Sequence, residues 1–248
     1  MIEDLSILGM DVNFQQKVAE NVYPGRGIVM GVSEAGLLLQ LYWIMGRSEN
    51  SRNRVFQREG AVLRTEAADP AKMKDPSLVI YEAMLESGHD YIVSNGDQTR
   101  TVYQSLLGGR GSFETALVSR DREPDAPNYT PRITGMISLG AGVPFFRFSI
   151  LKANACDPLL SDRNFFYREA IASGSGLLLT TYQGDGSPLP SFSGEPVAVP
   201  MLGAPETILE HYWQHLDSDN KVALALKVID PQTGESSILV KNKHKKIA

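Results

Sequence analysis

The sequence is short of cysteine, histidine and long apolar runs, and each shortage excludes something. Its single cysteine, Cys156, rules out an internal disulfide framework and fits a reducing, cytoplasmic setting. Cys156 sits in "NACDPL" with no obvious histidine partner, so it reads as an incidental thiol and not a nucleophile. Among the four histidines, His211 and His215 share an i,i+4 spacing that can hold zinc. No third ligand stands near them, so a solvated helix face is expected and no metal. The longest apolar runs are strand-sized, so no membrane-spanning helix is expected. The opening "MIEDLSILGMDV" carries acids early and lacks the basic flank of a secretory signal. Also lacking are a repeat period, a Gly-x-Ser-x-Gly elbow and a glycine loop ending in lysine and a hydroxyl residue. With 24 basic against 29 acidic side chains the net charge is −5, a poor balance for tracking a nucleic-acid backbone. The basic end "KNKHKKIA" has no interleaved aromatics and is expected to be solvated.

What is present is a chain of 248 residues, enough to bury a sizeable core. Residues 1–21 read as a lead-in with a short helix around Val12–Glu20. The stretch "GRGIVMGVSEAGLLLQLYWIM" is two apolar runs about a Ser-Glu-Ala-Gly turn, a hairpin by its turn chemistry. Its second run does not alternate, so both faces of that strand need cover: a second sheet on one side and helices on the other. Asp75, Pro76 and Gly88 bracket a predicted helix. After it come a short strand "DYIVSNG", a helix over Gln98–Leu107 and another capped by Ser112. "TPRITGMISLG" and "PFFRFSILKA" read as paired strands, and 154–175 as irregular and polar. "GLLLTT" leads into a long Gly/Pro/Ser loop. A helix "APETILEHYWQHL" then precedes a final hairpin turned by Asp230, Pro231 and Gly234. Hairpins dominate, which disfavours a parallel sheet. The expected organisation is one domain over 22–241, an N-terminal extension over 1–21 and a basic tail over 242–248.

Polar islands stand at the ends of these elements. "MGRSENSRNRVFQREG" places Arg47, Arg52, Arg54 and Arg58 just beyond the apolar run. Tyr81, "VSNGDQT" and "REPDAPNYTPR" follow. Singly, each island has a bland reading: a solvated arginine face, a core tyrosine, an Asn-Gly turn or a loop-capping aspartate.

In order, however, "YPGR" (Tyr23–Arg26), "GRSENSRNR" (Gly46–Arg54), "YEAML" from Tyr81, "VSNGDQT" (Val93–Thr99) and "TPRI" (Thr130–Ile133) resemble the archaeal-type IMP cyclohydrolase family. The likeness covers residues 23–140. It departs from the family at Met45-Gly46, where serine is usual, in a longer Arg47-to-Arg54 interval, in the N-terminal extension and in an enlarged 140–200 region. The resemblance implies an α+β fold, a four-layer αββα sandwich of two mainly antiparallel sheets, similar to the N-terminal-nucleophile hydrolases. It implies closure of a formamido-carboxamide ribonucleotide to IMP with loss of water and without a cofactor. The partner implied is a purine ribonucleotide, with no nucleic acid or membrane; a homo-oligomer is allowed. On this likeness Arg26, Arg47, Ser48, Asn53, Arg54 and Gly96 bind the substrate, and guanidinium forks suit its phosphate. Asp125, or else Glu123, transfers protons, with Tyr81, Arg132 and Asn95 beside it; Arg52 and Arg58 remain surface charges. Two rivals stay open, an amidohydrolase on the same scaffold and a non-catalytic nucleotide-binding protein.

Overall fold

The computed structural model describes residues 2–109, 111–140 and 143–246. The chain begins with helix α1 (Ile2–Phe14), continued by one wider turn over Gln15–Ala19, so the helix starts well before Val12. The hairpin follows as β1 (Gly27–Val32) and β2 (Leu38–Met45), paired antiparallel from Val32↔Leu38 to Gly27↔Trp43. Gly36, at φ +82°, makes the turn between them, a backbone region that costs glycine little. Ser48 caps the single turn α2 (Glu49–Arg52): its Oγ accepts from Ser51 N at 3.1 Å while Ser51 Oγ accepts from Ser48 N at 3.0 Å.

A second hairpin, β3 (Arg54–Glu59) and β4 (Val62–Ala67), follows where the sequence pattern announces no strands. The helix expected between Asp75 and Gly88 does not form. Its cap signal is spent on a tight turn, with Asp75 accepting from Ser77 N at 2.9 Å and Ile80 N donating to Pro76 O at 2.9 Å. The chain then enters β5 (Glu82–Ser87), and Gly88 turns it into β6 (Asp90–Ser94). Tyr81 therefore stands at the mouth of a strand and not on a helix. Pairing with β4 and β6 outweighs a local helical preference.

Helices α3 (Gln98–Leu107) and α4 (Phe113–Val118) form as the sequence predicts, α4 with Ser112 as cap. β7 (Arg132–Gly140) and β8 (Val143–Ala153) pair in full. The expectation that 154–175 is irregular is overturned: β9 (Ser161–Arg168) pairs along β8. It is half-buried at the edge of its sheet and has no need of the apolar alternation that marks other strands. β10 (Ser175–Thr180), β11 (Val197–Pro200), α5 (Pro205–His215), β12 (Lys221–Ile229) and β13 (Ser236–Asn242) complete the chain.

One sheet has the order β11-β10-β1-β2-β12-β13 and the other β3-β4-β5-β6-β7-β8-β9, every neighbour antiparallel. Their facing sides enclose one core, which includes Tyr42 and Ile44 from β2 and Met84, Val93 and Phe148 from the other sheet. The opposite side of β2, with Leu41 and Trp43, packs on Phe14, Ile208 and Tyr212. Ile92 and Met136 of the second sheet meet Val102, Phe113 and Leu117. The result is the αββα sandwich. β2 is buried along its whole length because alternate side chains serve two different cores. Among the described residues, no helix is long and apolar enough to cross a membrane.

Candidate active site

A cleft of about 340 Å3 opens where β2 ends and β1 begins. That is within the range of roughly 300–1,000 Å3 usual for small-molecule sites. Arg26 and Glu123 lie at its floor, and Arg47, Ser48, Asp125 and Tyr182 also line it. Arg26 arrives just before β1, where its backbone N donates to Thr181 Oγ1 at 3.0 Å. Glu123 comes from the opposite sheet, on a loop that closes on itself through Glu123 N donating to Thr130 O at 2.9 Å. That loop is tied to the Gly/Pro/Ser segment by Leu189 N, which donates to Asn128 Oδ1 at 3.0 Å.

Arg26 Nη2 donates to both oxygens of Glu123, at 3.1 and 3.2 Å, and both side chains are buried. Burial pushes the Glu123 carboxyl above the usual carboxylate range, against the pull of Arg26 and Arg132. Burial would lower the Arg26 guanidinium, but Glu123 and the hydroxyls of Tyr81, Tyr182 and Tyr42 more than offset it and leave it raised. Tyr42 and Tyr81 share a hydroxyl–hydroxyl bond of 2.7 Å. Among the described residues, Arg26 Nε has no hydrogen-bond partner although it is buried, and the same holds for Arg54 Nη1. Orphan guanidinium donors are unusual in a native core.

The four arginines that follow β2 have separated. Arg47 is half-exposed at the rim, its guanidinium 5.0 Å from the Tyr23 ring centroid. It is held by Asp185 and by Gly186 O at 3.0 Å. Arg54 is instead buried behind the cleft wall, donating to Ser51 O at 2.7 Å and Met45 O at 3.1 Å. Arg52 and Arg58 are exposed, as expected, with their guanidiniums on Gly46 O and Ile238 O. Ser48 lines the cleft from its cap position, whereas Asn53 turns away and pins Asp69 through bonds of 2.7 and 2.8 Å.

The remaining expected site residues split the same way. Asp125 lines the cleft, with its carboxylate on the backbone N and hydroxyl of Thr130. Asn95 is committed to holding β7: its amide donates to Pro131 O at 2.9 Å and its oxygen accepts from Ile133 N at 2.8 Å. Arg132 donates to Asp97 at 2.7 Å and to Gln98 Oε1 at 2.9 Å. A Cβ at Gly96 would come within 2.6 Å of Arg132 Nη1 and of Gln98 Oε1, so any side chain there would have to displace that bonded pair.

Thr130 and Tyr182 line the cleft without having been singled out from sequence, whereas Tyr42 and Tyr81 do not line it and lie behind it as a bonded pair. Tyr42 is hidden inside an apolar run. Tyr182 follows "GLLLTT" in the half of the chain with few recognisable motifs. Thr130 carried a signal, as the first residue of "TPRI". His211 and His215 are not simply solvated: both rings lie against Phe14, with centroids 4.6 and 5.3 Å away. Among the described residues, no group of three or more His, Cys, Asp or Glu side chains converges. A larger hollow of about 520 Å3 lies on the outer side of α2, between Arg52, Asp69, Lys72 and His244. Arg52, Lys72 and His244 are exposed, and Lys72 is already paired with the half-buried Asp69 at 3.7 Å, so the size of this hollow does not make it the reactive site.

A comparison with curated proteins gives no match. A family model described as IMP cyclohydrolase-like protein matches residues 23–234. The match extends past the motif-bearing 23–140 region to include Tyr182 and the loop that carries Asp185. It begins at Tyr23, at the rim of the cleft, and spans both sheets. The chain therefore belongs to the IMP cyclohydrolase-like family.

Proposed function

We propose that this chain is an enzyme that closes 5-formamidoimidazole-4-carboxamide ribonucleotide to IMP with loss of water. The observation that carries this reading is the buried Arg26–Glu123 pair, with a spare guanidinium N–H, at the floor of a cleft rimmed by Arg47 and Ser48. The chemistry needs little more. The carboxamide nitrogen attacks the formyl carbon of the same imidazole, so holding the productive rotamer supplies much of the acceleration. As the C–N bond forms, the carbonyl electrons move onto the formyl oxygen. Arg26 faces that growing charge in a poorly solvated site. In its protonated form, which burial favours, Glu123 gives its proton to the oxygen. Tyr81, bonded to Tyr42 behind the cleft, helps keep Arg26 charged.

The phosphate is assigned to the rim, on Arg47 and Ser48, where it would displace Asp185 from Arg47. Arg54 supports the wall from behind and adds positive charge without touching the ligand. Asn95, Gly96 and Arg132 fix the start of β7, which carries Thr130 and the Glu123 loop towards the cleft. Asn53 is best placed to hold the β4 end in register.

The test is to incubate purified protein with the formamido ribonucleotide and follow IMP by absorbance. Saturable IMP formation is expected. Tight IMP binding without turnover would favour the non-catalytic nucleotide-binding reading, and release of ammonia would favour an amidohydrolase.

A further inference from the structure

Asp125 is linked to the cleft through two hydroxyls in single file. Thr130 donates its backbone N–H to Asp125 Oδ1 at 2.6 Å, and its hydroxyl bonds Asp125 Oδ2. The same Thr130 oxygen bonds the Tyr182 hydroxyl. Thr130 and Tyr182 are both buried, so bulk water does not compete for these groups. The hydrogens then fix a direction. A carboxylate only accepts, and a threonine hydroxyl has one hydrogen to give. That hydrogen goes to Asp125, so Tyr182 must donate its own to Thr130. The Tyr182 oxygen is left with only lone pairs to offer the cleft that it lines beside Arg26. Burial also pushes the Tyr182 hydroxyl well above the ordinary phenol range, so it stays a neutral phenol at working pH.

We propose that Asp125 and Thr130 hold Tyr182 as a hydrogen-bond acceptor, and that this relay takes the proton lost by the attacking carboxamide nitrogen. The inference rests on the ring-closure reading and supplies the base that reading lacks. In the first step the nitrogen's proton passes to Tyr182, that of Tyr182 to Thr130 and that of Thr130 to Asp125. Glu123 meanwhile protonates the formyl oxygen, giving a neutral hydroxy adduct. In the second step the relay runs backwards, and its proton leaves with the hydroxyl as water. The former formamido N–H gives its proton to Glu123 as the ring C=N bond forms. Both carboxyls end as they began. Tyr182 is the catalytic residue in this scheme; Thr130 and Asp125 are positioning residues that act through it.

The experiment combines kinetics, IMP calorimetry and NMR. Tyr182→Phe, Thr130→Val and Asp125→Asn should each lower kcat by about a hundredfold or more, with IMP affinity within about threefold. Asn at 125 must turn its amide NH2 towards Thr130, which reverses the chain and makes Tyr182 a donor. Thr130→Ser, which keeps the hydroxyl, should recover most of the Thr130→Val loss. The double variant Tyr182→Phe/Asp125→Asn should be no slower than the slower single, because the residues act as one unit. Losses that multiply, or a Thr130→Val enzyme with ordinary kcat, would overturn the relay. If the unaltered protein makes no IMP, the ring-closure reading fails, and the polarity is still tested by NMR. The Tyr182 hydroxyl proton, identified by its loss in Tyr182→Phe, should exchange slowly and lie near the Thr130 side chain. A freely exchanging Tyr182 proton would sink the acceptor assignment whatever the substrate.

Discussion

Two buried cation–carboxylate pairs join the two sheets of this sandwich, and they end in different states. Lys227, on β12 opposite Gln40, is wholly buried and donates to Glu86 Oε2 at 2.8 Å and Ala61 O at 2.9 Å. Ser236 Oγ also donates to Glu86 at 2.8 Å. Its polar demands are met by the protein itself. Arg26 at the cleft is also buried and contacts both oxygens of Glu123, yet its Nε is orphaned, as is Nη1 of Arg54. A buried ion pair by itself says little about function. The distinction lies in the unmet donors and in the cleft that Arg26 and Glu123 line.

The largest expected effect is at the incomplete pair. Glu123→Gln should lower turnover by roughly two to four orders of magnitude, measured as IMP formation. Its pH profile should change too. The folded carboxyl titrates above its ordinary range, so as the proton donor it gives a kcat/KM that falls as pH rises through that raised value. Glu123→Gln should lose this limb. The stability sign agrees: a carboxyl that binds its proton more tightly when folded adds stability at low pH, lost as pH rises through the folded value. Urea titrations across that window should show the slope in the unaltered protein and not in the variant.

At the complete pair the effect should fall on folding instead. Glu86→Ala strands a buried ammonium and should cost about 2–3 kcal/mol in urea unfolding. That is below the roughly 3–5 kcal/mol of a fully buried pair, because Glu86 is 30% exposed. Lys227→Met strands the carboxylate instead, but Glu86 is partly exposed and keeps Ser236, so the cost should be smaller, about 1–2 kcal/mol. Neither change should alter IMP affinity. If Glu86→Ala abolished binding while the fold survived, the two pairs would not be separate in role.

Smaller effects belong to the rim. Arg47→Ala should weaken IMP binding by about tenfold, or about 1.4 kcal/mol, and leave the affinity of the phosphate-free nucleoside unchanged. Its exposed pairing predicts a stability change under about 0.5 kcal/mol. Asp185→Asn frees Arg47 from a competing carboxylate and should tighten IMP binding by about two- to threefold at low salt, an electrostatic effect that added salt should erase. Calorimetry with IMP and its nucleoside distinguishes these outcomes.

Part of this was legible from the sequence because it depends on local pattern. The unbroken apolar run of β2 demanded cover on both faces, and the strand read in "TPRITGMISLG" forms as β7, with Thr130 at the cleft just before it. Arg26, Arg47, Ser48 and Asp125 were found from motif order, and they line the cleft. Where a residue's state depends on distant partners, the sequence was silent or misleading. The cap signals at Asp75 and Pro76 describe a real turn, but pairing with β4 and β6 made the following segment the strand β5. Arg54 and Arg47 look alike in a run of arginines. Only the packed sheets placed one behind the wall and the other at the rim. Tyr182, 52 residues from Thr130, acquires its direction from a carboxylate it does not touch. Periodicity and turn chemistry are properties of neighbours in the chain, and they determined the layers. Burial, orphaned donors and hydrogen-bond polarity are properties of neighbours in space, and tertiary structure alone decided them.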